Sequence, residues 1–201
     1  MSSRKTDTRQ RLLTAARELI ESGHFSVGLG EIGRRAGVSR QAVYLHFDSR
    51  ADLLEALTSF IEQEADLGGL LAPVYSAPSG VQALRRLIDV GAVFEPQIHA
   101  MVQAALRMQD DPAVAAITAD RMARRFAAMR DVVARIESEG RLAASWDVDT
   151  AAGFLWSLTA SSAFDLLVVQ HGWTPQRWAD STFALLRDAF VTATPDEPPS
   201  P

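Results

Sequence analysis

The sequence predicts an all-α fold of about nine helices, and three observations carry that prediction. Apolar residues recur at intervals of three and four along most of the chain, the period of one helix face. The punctuation between these stretches is helical as well. Asp111-Pro112 and Thr174-Pro175 each set a capping side chain before a proline at the first helical position, while Gly37 and Gly140 stand where helices should stop. No run alternates apolar and polar residues for the length of a strand, and no segment repeats.

Residues 1–7 are polar and are expected to form an arm ahead of the first helix. That helix, Thr8 to Phe25, places Leu12, Ala16, Leu19 and Ile20 on one stripe. Ile32 and Ala36 lie four apart and share a face of the second helix. Gly37 can take the left-handed conformation that ends it, and Val38 turns inward. Ser39 can cap a third helix by accepting a hydrogen bond from its free amides. On that helix Val43 and Phe47 face the core, which turns Arg40, Gln41, Tyr44, Leu45 and His46 outward. Such a surface suits a DNA major groove.

The fourth helix should start near Arg50 and reach about Asp66, with Leu53, Leu54, Leu57 and Ile61 inward. Gly68, Gly69, Pro73 and Pro78 predict a loop. Ser79 can cap a fifth helix bearing Val81, Leu84, Leu87, Ile88 and Val90. Proline disfavours helix at the residue before it, so a sixth helix is expected to begin at Pro96 and run to about Met108. A seventh runs from Pro112 to Glu139, an eighth from Asp147 to before Gly172, and a ninth from Pro175 to about Ala193. Residues 194–201, TPDEPPSP, are too rich in proline and charge to fold. The expected division is a helix-turn-helix DNA-binding domain at 1–49, a helical body at 50–193, for which the family resemblance described below implies ligand binding and dimerisation, and a disordered tail at 194–201.

Charge supports that division. The chain carries a formal net charge of −5, but residues 1–50 sum to +4 and the remainder to −9. A basic head on an acidic body is expected where one end meets phosphates and the other does not. No stretch is long and apolar enough to span a membrane; Ala151 to Val169 comes closest but is interrupted by Ser157, Thr159, Ser161, Ser162 and Asp165. MSSRKTDTRQ lacks the apolar region of an export signal, so a cytoplasmic protein is expected. With no cysteine, disulfides, thiolate metal sites and thiol redox chemistry are excluded.

Ile32 to Phe47, IGRRAGVSRQAVYLHF, resembles the DNA-binding domain of TetR-family (TetR/AcrR) transcriptional regulators. The similarity extends from Leu12 to Leu57: an amphipathic first helix ending in Phe25, the turn Ala36-Gly37-Val38-Ser39, the run Val43-Tyr44-Leu45-His46-Phe47, and Arg50 at the head of the fourth helix. The resemblance implies base contacts from Arg40, Gln41, Tyr44 and Leu45, with Ala42 offering apolar contact. It implies phosphate contacts from Ser39, Tyr44, His46 and Arg50, which fix register without reading sequence. Arg4, Lys5 and Arg9 are expected to add attraction from the arm. Arg34 and Arg35 read better as a solvated face, and His46 has a second reading as a local cap. One feature departs from the pattern. Family members usually carry Thr or Ser before the second helix, whereas Val27, Gly28, Leu29 and Gly30 offer no hydroxyl unless Ser26 supplies it.

The eighth helix is apolar nearly all round, so it must be buried on more than one side. Leu155, Leu158, Ser162, Leu166 and Val169 form one stripe, and the ninth helix adds Trp178, Phe183 and Leu186. The resemblance implies that these two helices pair with their copies in a homodimer, setting two recognition helices about 34 Å apart over a palindromic operator. It also implies a small-molecule pocket, with Phe60, Phe94, His99, Met101, Met108, Phe126, Met129, Trp156 and Phe164 as candidates. Methionines beside aromatics suit an apolar or aromatic effector. Each of these side chains is also ordinary core material. Glu95, His99 and Gln103 supply too few ligands for a metal, and no cofactor is expected. The histidines are scattered and no Gly-rich loop follows a strand, so no enzyme constellation is visible. The expected function is a homodimeric repressor, with an activator or a ligand-independent architectural DNA-binding protein as the alternatives.

Overall fold

The computed structural model describes residues 2–24 and 28–192, with backbone alone for residues 2–5. It is all-helical: α1 (Ser2–Glu21), α2 (Leu29–Arg35), α3 (Arg40–Tyr44), α4 (Arg50–Glu64), α5 (Leu67–Tyr75), α6 (Gly80–Arg107), α7 (Pro112–Ser138), α8 (Val148–Leu158), α9 (Ser161–Phe164), a π-helical turn at Asp165–Gln170, and α10 (Pro175–Phe190). Among the described residues an isolated antiparallel bridge joins Leu142 to Val191. The expected tail at 194–201, and Phe25, Ser26 and Val27, lie outside the described residues.

The chain separates into two compact units: Met1–Asp66 with Gln97–Arg121, and Leu67–Pro96 with Met122 onward. The expected boundary at 49/50 differs from this division. In the first unit α4 packs on α1 and buries Leu53, Leu54, Leu57 and Ile61. The core of that unit closes on Leu12, Ile32, Val43, Phe47, Leu57 and Ile61, each at most 2% exposed. Arg17 pairs with Glu21 and Glu64, and Arg35 pairs with Glu18. The second unit has its own core, in which Leu84, Ile88, Val133, Ile136, Trp178 and Phe190 are buried together.

Four local expectations change. Residues 2–7 of the expected arm form the first turns of α1. Leu67–Tyr75, expected as a loop, is helical with Pro73 inside it and Val74 buried. Pro96 does not start a new helix, because Gly80–Arg107 runs through it. One proline removes one backbone donor, and the buried Ala92, Glu95 and Ile98 around it supply offsetting packing. The expected eighth helix is broken into three pieces. Thr159 ends α8 with its hydroxyl turned back to the Leu155 carbonyl, Ala160 is extended, and α9 passes into the π turn.

The punctuation residues behave as their chemistry dictates. Ser79 caps α6, Asp111 binds the amide of Ala113, and Thr174 caps α10 with Pro175 behind it. Asp147 caps α8, and the Thr150 amide and hydroxyl that donate to it hold its carboxyl below the usual range. Gly140, at φ +68°, ends α7. Among the described residues no single helix is long and apolar enough to cross a membrane; Val148–Leu158 and Ser161–Gln170 reach that composition only as a pair bent by 41°.

Candidate nucleic-acid interface

The first unit presents a short helix with its polar side outward. Gly37, at φ +68°, reverses the chain after α2, and the Ser39 hydroxyl accepts from the Ala42 amide at 3.2 Å to start α3. Val43 is fully buried and Phe47 is 1% exposed, so the helix is pinned by its inner face. Close approach of α2 to α3 needs Gly33: a Cβ there would lie 2.7 Å from Val43 Cγ2.

The outer face consists of Arg40, Gln41, Tyr44 and Leu45, all exposed, with Leu45 at 73%. Ala42 and His46 are half-buried, and Ser39 and Arg50 are exposed. Arg40 lies over the Tyr44 ring at 5.7 Å and donates to its hydroxyl at 3.4 Å. That hydrogen bond raises the guanidinium pKa above its already high value, and Arg40 is a cation at any physiological pH. A guanidinium, an amide, a phenol and an apolar tip within two turns of helix are what base-edge readout requires.

Arg9, expected to add attraction from the arm, has protein partners of its own. It sits on α1, its guanidinium 4.8 Å from the Phe47 ring centre, and it donates to the His46 carbonyl at 3.3 Å. Arg9 therefore braces the end of the recognition helix, a role that sequence spacing does not reveal. Arg11 does the same for the Ala36 carbonyl in the turn. Arg4 and Lys5 lie on α1, but their side chains are outside the described residues. At the start of α2, Gly28 is the N-cap with no side-chain cap bond.

The expected effector residues fall in both units. Phe60, His99, Met101 and Met108 belong to the first, where Met108 lines a small cavity with Ala16, Ile20, Ile32, Arg50, Leu53 and Leu54. Phe94, Phe126, Met129, Trp156 and Phe164 belong to the second. There Phe126 and Trp156 meet edge to face at 6.1 Å, and Met129 and Phe164 are buried. The expected dimer residues also divide. Leu155, Trp178 and Leu186 are at most 1% exposed and have no surface to offer another copy, because α6 and α7 already cover the inner face of α8 and α10. Leu158 and Phe183 are half-buried, whereas Ser162, Leu166 and Val169 are exposed. Among the described residues no three of His, Cys, Asp or Glu are grouped to hold a metal ion.

Residues 12–57 match the model of the family "Bacterial regulatory proteins, tetR family". That similarity to the tetR family takes in less than a quarter of the chain. Over 63 residues it is 36% identical to the nucleoid occlusion factor SlmA of Vibrio campbellii, a match covering 30% of this chain and 32% of the relative. The chain thus aligns with about a third of that relative's length. Two solved structures share the whole fold. A protein of Saccharomonospora viridis, described as a transcriptional regulator in complex with choline, superposes with TM-score 0.77 at 18% identity, covering 94% of this chain and 100% of that one. NalD of Pseudomonas aeruginosa, described as the secondary repressor of the MexAB-OprM multidrug efflux pump, gives 0.70 at 23% identity, covering 93% and 97%.

Proposed function

We propose that this chain is a cytoplasmic DNA-binding transcriptional regulator. It acts as a homodimeric repressor that occupies a palindromic operator and leaves it on binding a small apolar or aromatic molecule. The observation carrying this reading is the outward face of α3, where Arg40, Gln41, Tyr44 and Leu45 stand clear of a helix pinned by Val43 and Phe47. The +4 charge of residues 1–50 favours the same surface for phosphate approach. NalD's description as a repressor favours repression over activation.

The dimer reading rests on Phe154, Leu166, Val169 and Leu185, each more than half exposed in the second unit. Large exposed apolar side chains on neighbouring helices call for a partner surface. A second copy supplies it and duplicates the recognition helix, matching two half-sites about 34 Å apart. Release then requires an effector that binds one arrangement of the two recognition helices more tightly than the other.

Footprinting over the DNA flanking the protein's own gene tests the reading. A protected inverted repeat, bound with strong salt dependence and far more tightly than random duplex, is the expected result. Equal affinity for all sequences would instead establish an architectural protein, and a promoter fusion that falls silent on deletion would establish an activator. Sedimentation of Leu166→Glu with Val169→Glu should give a folded monomer with weakened operator binding.

A further inference from the structure

Glu95 is 3% exposed and is the one charged side chain buried among the described residues. Its Oε2 accepts from the Ser161 hydroxyl at 2.7 Å, and its Oε1 accepts from an Arg125 nitrogen at 3.3 Å. The other terminal nitrogen of Arg125 donates to the carbonyl of Thr159, the residue that ends α8. Arg125 is therefore shared between two acceptors, and its hold on the carboxylate is one long bond. Arginine pairs built for strength are short and bidentate, and an ionised carboxylate has acceptor capacity for about four bonds. Glu95 uses half of it.

The surroundings are aromatic. Gly91 lies one turn before Glu95 on α6, and a Cβ there would come within 3.3 Å of the Trp178 ring. Phe164 lies one turn after Ser161 and meets Trp178 edge to face at 5.4 Å. Each ring is thus reached from a position one helical turn along the chain from Glu95 or from its partner Ser161. Trp178 is fully buried, and its indole N–H has no hydrogen-bond partner, a donor of the kind that a ligand or water satisfies.

We propose that Glu95 anchors a binding site for an organic cation with an apolar body, and that the Arg125 guanidinium is the cation's resident stand-in. The volume needed by the ligand's charged head is the volume the guanidinium now fills, and Arg125, 30% exposed, has solvent to swing into. Stripping the cation from a buried carboxylate is strongly unfavourable, so only a ligand that brings positive charge can take its place. An anion would have to pull Arg125 from both acceptors while facing Glu95. The apolar body would rest against Trp178 and Phe164, whose ring faces also attract a cation. Departure of Arg125 frees the Thr159 carbonyl at the α8–α9 break, which ties occupancy of the site to the conformation of that break. This inference rests on the reading of the second unit as ligand-binding.

The test is calorimetry on the full chain without DNA, using three ligands that share one body: 4-phenylbutylamine as its ammonium, 4-phenylbutan-1-ol and 4-phenylbutyrate. The amine should bind at least about tenfold more tightly than the alcohol, and the acid most weakly. Glu95→Gln should level the three affinities, and Arg125→Ala should tighten the amine severalfold and leave the alcohol unchanged. Equal affinities for amine and alcohol in the unaltered chain would overturn the proposal, as would tightest binding of the acid, no binding of any of the three, or a folded Glu95→Gln that keeps the preference. Amine binding without release of any DNA leaves this site standing and removes the effector reading. Release by neutral or anionic ligands alone does the reverse.

Discussion

In the first unit the ion-paired side chains each keep at least a quarter of their surface exposed. Arg17 bridges Glu21 and Glu64, Arg35 holds Glu18, and Arg40 with Tyr44 stands fully outward. In the second unit charge goes inside: Glu95 is buried with Ser161, and Arg125 reaches in to it and to the Thr159 carbonyl. The backbones differ in the same way. The first unit sets two short helices, α2 and α3, ahead of a sharp cap at Ser49, whereas the second breaks its apolar run between α8 and α9 where the polar groups meet. The difference teaches that a surface made to meet a long polyanion can be assembled from local signals. A buried polar cluster such as the one proposed to take a small molecule is instead assembled from residues distant in sequence, here Glu95, Arg125 and Ser161.

The largest expected effect tests whether the second unit tolerates less than the first. Gly80 donates its amide to both Glu139 oxygens at 2.9 and 2.8 Å, and a Cβ there would lie 2.7 Å from the Ile136 backbone nitrogen. Backbone cannot step aside, so Gly80→Ala should cost about 3 kcal/mol in urea unfolding, the upper range for overpacking. At Gly33 the nearest atom is a side-chain methyl of Val43, and the same change should cost less. Equal losses would erase the contrast between the units.

Next comes the reading surface itself. Tyr44→Ala removes the ring and hydroxyl that orient Arg40 and should weaken operator binding about 30-fold, roughly 2 kcal/mol, the worth of one good base contact. Because no charge is lost, the salt dependence should persist. A folded variant that footprints normally removes Tyr44 from the interface.

The head was legible because function there dictates residue type at the surface. The spacing of Ile32, Ala36, Gly37, Ser39, Val43 and Phe47 places both helices and the turn. The second unit was less legible for a physical reason. Pro96 and the glycine–proline run at 68–78 read as breaks by local propensity, yet tertiary packing keeps Gly80–Arg107 and Leu67–Tyr75 helical. Conversely, the apolar run after Asp147 reads as one helix, because the carbonyl taken by Arg125 and the hydroxyl taken by Glu95 have partners 34 and 66 residues away. Arg9 shows the same limit inside the head. Its charge was plain, while its seat on Phe47 depends on where α1 lies.

That seat gives a smaller prediction. If Arg9 served only as a positive charge, lysine would replace it. Lysine has a single ammonium and no planar fork to lie over Phe47 while bonding the His46 carbonyl. Arg9→Lys should therefore lower stability by about 0.5–1 kcal/mol, read as a shifted urea midpoint with unchanged slope. An unchanged midpoint would return Arg9 to a purely electrostatic role.

The smallest expected effect runs in the stabilising direction. Gly28 caps α2 with φ −79° and ψ 148°, ordinary extended backbone that any residue adopts, and a Cβ there would meet nothing within 4 Å. Serine therefore fits without strain, and its hydroxyl can take the helix amide that Gly28 leaves without a side-chain partner, a gain of a few tenths of a kcal/mol. The unfolded chain also loses some freedom, which adds in the same direction. The same hydroxyl stands at the start of a helix, where backbone amides favour phosphate, so Gly28→Ser should raise both the urea midpoint and operator affinity slightly. A raised midpoint with unchanged affinity would show that α2 starts away from the DNA backbone, and that this chain dispenses with a hydroxyl because no phosphate comes near it.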